Sequence, residues 1–169
     1  MVERHIIEPG KRITYDGVFD AVGLYDVIKD WAGEKGYFPV EKAHAESVKP
    51  EGKFIELKLD PVFKKYSDYV RGVFNIHIQM SEVKDVVLVQ DGRKVKLKEG
   101  KVLMNIQSYL ESDYEKRWVV KPMLYVVRTL FEKYVLSPFM SRFERTLRED
   151  QAQLEAYVKS YLNLSKFRK

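Results

Sequence analysis

The chain has 169 residues, 30 Lys and Arg against 25 Asp and Glu, three His and no Cys. The absence of Cys removes disulfide frameworks, thiolate metal sites, iron–sulfur centres and Cys nucleophiles together, and it favours a reducing compartment. With 45% hydrophobic and 13% aromatic residues, bulk disorder is excluded, because apolar content on this scale offsets chain entropy; the length fits one domain over residues 1–169.

The first residues, Met1 to Glu8, carry acids and lack an apolar h-region, so neither a signal nor a transit peptide is expected and the chain reads as cytoplasmic. Its longest apolar stretch, Trp118 to Met140, is interrupted by Lys121, Arg128, Glu132 and Lys133, which argues against a membrane span. The net charge of +5 is modest. A Lys- and Glu-rich, Cys-free surface resembles thermophile surface chemistry, so the excess is a weak argument for nucleic acid.

In chain order, Lys11 to Asp16 reads as a first strand and Asp16-Gly17 as a turn. Asp20 is a good helix N-cap, because its carboxylate can accept from the free amides of the first turn. Val22, Leu24, Tyr25, Ile28, Trp31 and Ala32 then recur at helical spacing opposite Asp26, Lys29 and Asp30, predicting an amphipathic helix over about residues 21–35, ended by Gly33 or Gly36.

From residue 40 to 112 the period changes to two. Ile55, Leu57 and Leu59 alternate with charged residues; Phe74, Ile76, Ile78 and Met80 alternate with Asn75, His77 and Gln79; Val102, Met104, Ile106, Ser108 and Leu110 form a third series. One apolar and one mixed face are the pattern of an antiparallel sheet lying on a core. Asp91-Gly92 between Val-rich runs predicts a two-residue hairpin. Pro50-Glu51-Gly52 and Glu99-Gly100 read as further turns and Asp60-Pro61 as a break. The fold class is α+β: an antiparallel meander of five to seven strands, one short N-terminal helix, and long C-terminal helices packed on the sheet.

Helical periodicity returns over 118–164. Pro122 suits a helix start, and Met123, Val127, Leu130, Phe131 and Tyr134 share a face. Ser137-Pro138 breaks or kinks the run. Met140, Leu147, Leu154 and Tyr161 then recur every seven residues, with Phe143, Tyr157 and Leu164 in the companion positions. Asp150 occupies a companion position too, so the seam is not that of a perfect coiled coil.

Chemistry-bearing motifs are few. Neither a Gly-x-Ser-x-Gly elbow nor a Gly-rich phosphate loop is present. His5, His44 and His77 lack a second His at helical ligand spacing. On an extended strand Glu46 shares the face of His44, with Glu41 nearby, but a metal needs three or four converging ligands and a solvated strand face is the simpler reading. His77, Asn75 and Gln79 could orient a polar ligand if their face walled a cavity. No catalytic residue, metal or cofactor is assigned. Arg93, Lys94, Lys96, Lys98 and Lys101 form a basic hairpin that could meet phosphates of RNA or a membrane surface, together with a basic tail, although lysines there also guard a sheet edge.

The order strand, helix, antiparallel meander, long C-terminal helix, closing on Phe143-Glu144-Arg145-Thr146-Leu147-Arg148-Glu149-Asp150-Gln151-Ala152-Gln153-Leu154, resembles the START/polyketide-cyclase-like (helix-grip) superfamily. It resembles that family in layout across most of the chain, without a diagnostic motif. Its style is also similar to conserved archaeal proteins of unknown function. The resemblance implies a curved sheet wrapped on a final helix and a hydrophobic ligand between them. The departure is a C-terminal region of two helical segments in place of one. The expected site for a hydrophobic or amphipathic small molecule is Phe74, Ile76, Ile78, Met104 and Ile106 of the sheet facing Leu130, Phe131 and Tyr134. The alternatives are self-association or partner binding through Met140, Phe143, Leu147 and Leu154, and an RNA- or membrane-surface contact through the basic hairpin and tail.

Overall fold

The computed structural model describes residues 3–90, 93–114 and 137–166. Its elements in order are β1 (Glu3–Phe19), α1 (Ala21–Lys35), β2 (Phe38–Lys49), β3 (Gly52–Lys65), β4 (Val70–Gln90), β5 (Arg93–Ser112) and α2 (Ser137–Lys166). The fold is α+β. Strands β2 to β5 form an antiparallel meander, and β1 returns to pair with β5, giving a five-stranded sheet in the order β1-β5-β4-β3-β2. Both helices pack on one face.

Helix α1 has the ends its sequence predicts. The Asp20 carboxylate accepts from the Val22 amide at 3.0 Å, and Gly36 closes the helix in the left-handed conformation at φ 74°. Leu24, Ile28, Trp31 and Ala32 are its buried face. The alternating series are also strands: Ile55, Leu57, Leu59, Phe74, Ile76, Ile78, Met80, Val102, Met104, Ile106 and Leu110 are all buried under the helices. Pairing of Gln90 with Arg93 brackets Asp91-Gly92, and that of Lys49 with Gly52 brackets Pro50-Glu51.

Three expected interruptions lie inside continuous strands. Asp16 and Gly17 pair with Lys101 and Gly100, so neither Asp16-Gly17 nor Glu99-Gly100 is a turn. Asp60-Pro61 is a cis peptide within β3, where the register with β4 shifts between Leu59 and Val62. The glycines serve curvature instead. A bulge in β4 shifts the register between Ser81 and Lys84, with Glu82 at φ 56°. The backbone of Ser81 to Val83 lies so close to Gly52 on one side and Gly100 on the other that a Cβ at either would stand 2.8 Å from a main-chain atom. Gly17 is the next residue along this line. Gly52, the bulge, Gly100 and Gly17 thus form a crease across four strands, as bulges and glycines do where sheets bend.

The C-terminal helix corrects the seven-residue reading. Leu147, Leu154, Val158 and Leu162 are buried, Met140, Phe143 and Tyr161 pack on the core, and Tyr157 is exposed. With Asp150 and Gln151 buried between Leu147 and Leu154, the stripe advances by three or four residues a turn, from Leu154 to Val158 and Leu162, and drifts off the heptad as a straight 3.6-residue helix requires. Ser137-Pro138 opens the described helix, where proline's missing N–H is tolerated. Pro122, Met123, Val127, Leu130, Phe131 and Tyr134 lie outside the described residues.

Candidate functional site

The sheet centre is sealed. Phe74, Ile76, Ile78, Met104 and Ile106 are each at most 1% exposed, and the two clefts described below do not reach them. The expected facing residues Leu130, Phe131 and Tyr134 lie outside the described residues. The interaction-helix positions are used within the chain: Leu147 and Leu154 are core, and Phe143 stacks on Tyr66 with ring centroids 4.9 Å apart.

Polar side chains on the same helix face lock it down. Asp150, 5% exposed, accepts from the Tyr37 hydroxyl at 2.9 Å and pairs with Lys35 at 3.2 Å. Tyr37 has one proton and gives it to Asp150, so the Tyr66 hydroxyl, 3.0 Å away, must donate to Tyr37. The residue that spoils the heptad is therefore the anchor between α2 and α1. At the next residue Ser108 donates to Gln151 at 2.6 Å, Gln151 donates to Glu155 one turn on, and Lys11 of β1 pairs with Glu155 at 3.0 Å.

Burial pushes the Tyr66 hydroxyl up to about 12 and the Tyr37 hydroxyl higher still, Tyr37 being raised further by Tyr66 and Asp150. Both hydroxyls are neutral in the fold and ionise near the ordinary tyrosine value of 10.0 when unfolded. A raised folded value means their contribution is complete below pH 10 and is lost as pH rises toward 12 and beyond. The urea midpoint is accordingly expected to fall across pH 10–12, and Tyr66→Phe should flatten that fall.

Further along the same inner face, a groove of about 320 Å³ opens between the first turns of α1 and the sheet. Buried Ile55, Leu57 and Met80 form its floor, one rung from the sealed centre toward the crease. Ala21, Val22 and Tyr25 form the helical wall. Glu41, His44 and Glu46 of β2 and Lys98 of β5 stand at the rim. His44 and Glu46 do share a face, as extended spacing predicts. Glu41 joins them because a register shift between Glu41 and Ala43 turns it inward, bringing its carboxylate 3.8 Å from the His44 ring. Among the described residues no three His, Asp or Glu side chains are arranged to hold a metal ion.

No protein-family model and no curated protein matches this chain. Its chemistry must be read from its own geometry.

The opposite face is polar and internally paired. His77 lies 2.6 Å from Glu56, and Lys58 reaches the same carboxylate at 3.0 Å; these two hydrogen bonds, that of Lys58 first, hold Glu56 below the usual carboxylate range. The Asn75 amide donates to Asp60 at 2.7 Å. His77 and Asn75 are thus engaged with carboxylates, and Gln79 lines a separate cleft of about 400 Å³ at the crease with Phe54, Leu103 and Lys101. The basic hairpin divides. Lys98 faces the groove, Lys101 bonds Glu82 at 2.7 Å beside the outer cleft, and Lys96 is exposed; the side chains of Arg93 and Lys94 lie outside the described residues. No described helix is long and apolar enough to cross a membrane.

What sequence reasoning missed is the helical wall. Tyr25 and Val22 carry the same helical period as Leu24 and Ile28, and periodicity does not tell a covered position from one that borders a gap.

Proposed function

We propose that this protein is a non-catalytic binder of an amphipathic small molecule, held in the groove between α1 and the sheet. The observation that carries the reading is the division of that groove: an apolar floor of Ile55, Leu57 and Met80 beneath exposed Glu41, His44 and Glu46 and half-buried Lys98. Its volume is at the lower end of small-molecule sites, roughly 300–1,000 Å³. An apolar body would displace water from the floor while a polar head group stays at the charged rim. The strand, helix, meander, long-helix order, with β1 paired to the last strand, supports the helix-grip likeness and the same class of ligand. The site lies beside α1, though, and not at the sealed centre beneath α2.

Filling the groove from its helical wall tests this. Ala21 is half-buried at the groove and outside the sheet core. Ala21→Phe is expected to weaken binding of an amphipathic fluorescent dye such as anilinonaphthalene sulfonate by at least about tenfold, the equivalent of about 1.4 kcal/mol, with the thermal midpoint nearly unchanged. Native mass spectrometry after mild purification should show a small-molecule adduct that the variant lacks. Unaltered dye binding by a folded Ala21→Phe protein would reject the groove.

A further inference from the structure

Strand β2 is the edge of the sheet, all twelve of its residues are exposed, and among the described residues its outer edge is unpaired. Such an edge presents a row of free N–H and C=O groups, which proteins usually guard with prolines, charges or bulges. Here the guards sit at the ends: Pro39, the irregular register from Pro39 to Ala43, and Lys49. The middle, Ala43 to Ser47, is regular, and Ala43, Ala45 and Ser47 are small.

We infer that β2 is the interface of a homodimer, pairing antiparallel with β2 of a second copy about a two-fold axis midway between the two Ala45 residues. A two-fold perpendicular to the sheet leaves both helical layers on the same side, and pairs of residues facing each other then lie on the same face, so one residue must face its own copy across the axis. The regular register runs on to Lys49; centring on Ser47 or Val48 sets Glu46 opposite Val48 or Pro50 and gives it no polar partner, which leaves Glu46, His44 and Ala45 as centres. Centring on Glu46 sets that carboxylate against its own copy. Centring on His44 sets His44 against itself and, because Lys42 is the extra residue of the bulge, brings Glu41 opposite Glu46. Centring on Ala45 sets each His44 opposite the other copy's Glu46 and each Ala43 opposite Ser47. Like charges facing each other across strands are unfavourable, so the carboxylate clashes count against Glu46 and His44, while centring on Ala45 lets a ring N–H of each His44 face the other copy's Glu46 carboxylate. The product is a continuous ten-stranded sheet in which each groove's rim meets that of its neighbour. The dimer does not depend on what the groove binds.

The test uses the full chain. Sedimentation equilibrium is expected to show a dimer. Glu46→Lys, which sets Lys opposite His44, and His44→Glu, which sets Glu opposite Glu46, should each weaken association by about tenfold or more, while the double variant restores it with the charges exchanged. Because the protein has no Cys, Ala45→Cys should form a disulfide-linked dimer under mild oxidation and Val48→Cys should not, since only residue 45 meets its own copy within disulfide reach. A monomer across the soluble concentration range overturns the proposal. So does a dimer indifferent to both charge variants and not captured through residue 45.

Discussion

Arg71→Ala is expected to lower the free energy of unfolding by about 3 kcal/mol, because it leaves a buried carboxylate short of its main partner. That carboxylate is Glu111, whose side chain is 3% exposed. It accepts from Arg71 Nε at 2.7 Å and lies 2.5 Å from a second guanidinium nitrogen of the same residue, while Arg4 Nε reaches the other oxygen at 2.9 Å. Both arginines face Glu111 in the strand register, one from β4 and one from β1. They are not equivalent. Arg71 is 26% exposed and lies over the rings of Phe63 and Tyr114, whereas Arg4 is 64% exposed. Arg4→Ala should therefore cost about 1 kcal/mol or less, as exposed pairs do. Urea unfolding at pH 7 measures both. Adding Glu111→Gln to Arg71→Ala should recover part of the loss, since the stranded charge is then gone; equal destabilisation by the two arginine variants would refute this account.

The parts of the fold legible in the sequence are those whose signal has one physical meaning. Asp20 before an apolar 3.6-residue period can only cap, and Asp91-Gly92 between β-branched runs can only turn. Gly17, Gly100 and Pro61 were misread because a glycine or proline says that the backbone is unusual and not how: the same residue permits a turn between strands or a crease within one. The heptad of α2 failed for a related reason. Periods of 3.5 and 3.6 differ little over three turns, and Asp150, which spoils the pattern as a coiled coil, is buried because Tyr37 and Lys35, more than a hundred residues away in sequence, satisfy it. For the candidate site, the alternation identifies the apolar face correctly, but which rungs are covered depends on where α1 and α2 lie. The helices seal Ile76, Ile78 and Met104 and leave Ile55, Leu57 and Met80 bordering the groove.

The crease makes the sharpest connection between sequence and site. Gly52→Ala and Gly100→Ala are each expected to destabilise the protein by about 2–4 kcal/mol, through steric overlap with main chain at both and backbone strain at Gly52. At Gly52, φ is +138°, and a Cβ would meet the Glu82 carbonyl carbon at 2.8 Å. At Gly100 it would meet the Ser81 carbonyl oxygen at 2.8 Å and Val83 Cα at 3.1 Å. In both cases the obstacle is main chain, which cannot turn aside as a side chain can. Gly33 is the control: it lies within α1, nothing stands within 4 Å of its Cβ position, and Gly33→Ala should stabilise by about 0.5–1 kcal/mol through helix propensity alone. Thermal unfolding of the three variants separates the cases. The crease adjoins the rung of Ile55, Met80 and Val102, and Lys98 reaches the groove from beyond it. Flattening the sheet there would carry Lys98 away from the α1 wall, so the crease variants, measured below their midpoints, should also lose dye binding while Gly33→Ala retains it. Retention of full binding by a folded Gly100→Ala protein would separate the groove from the bend.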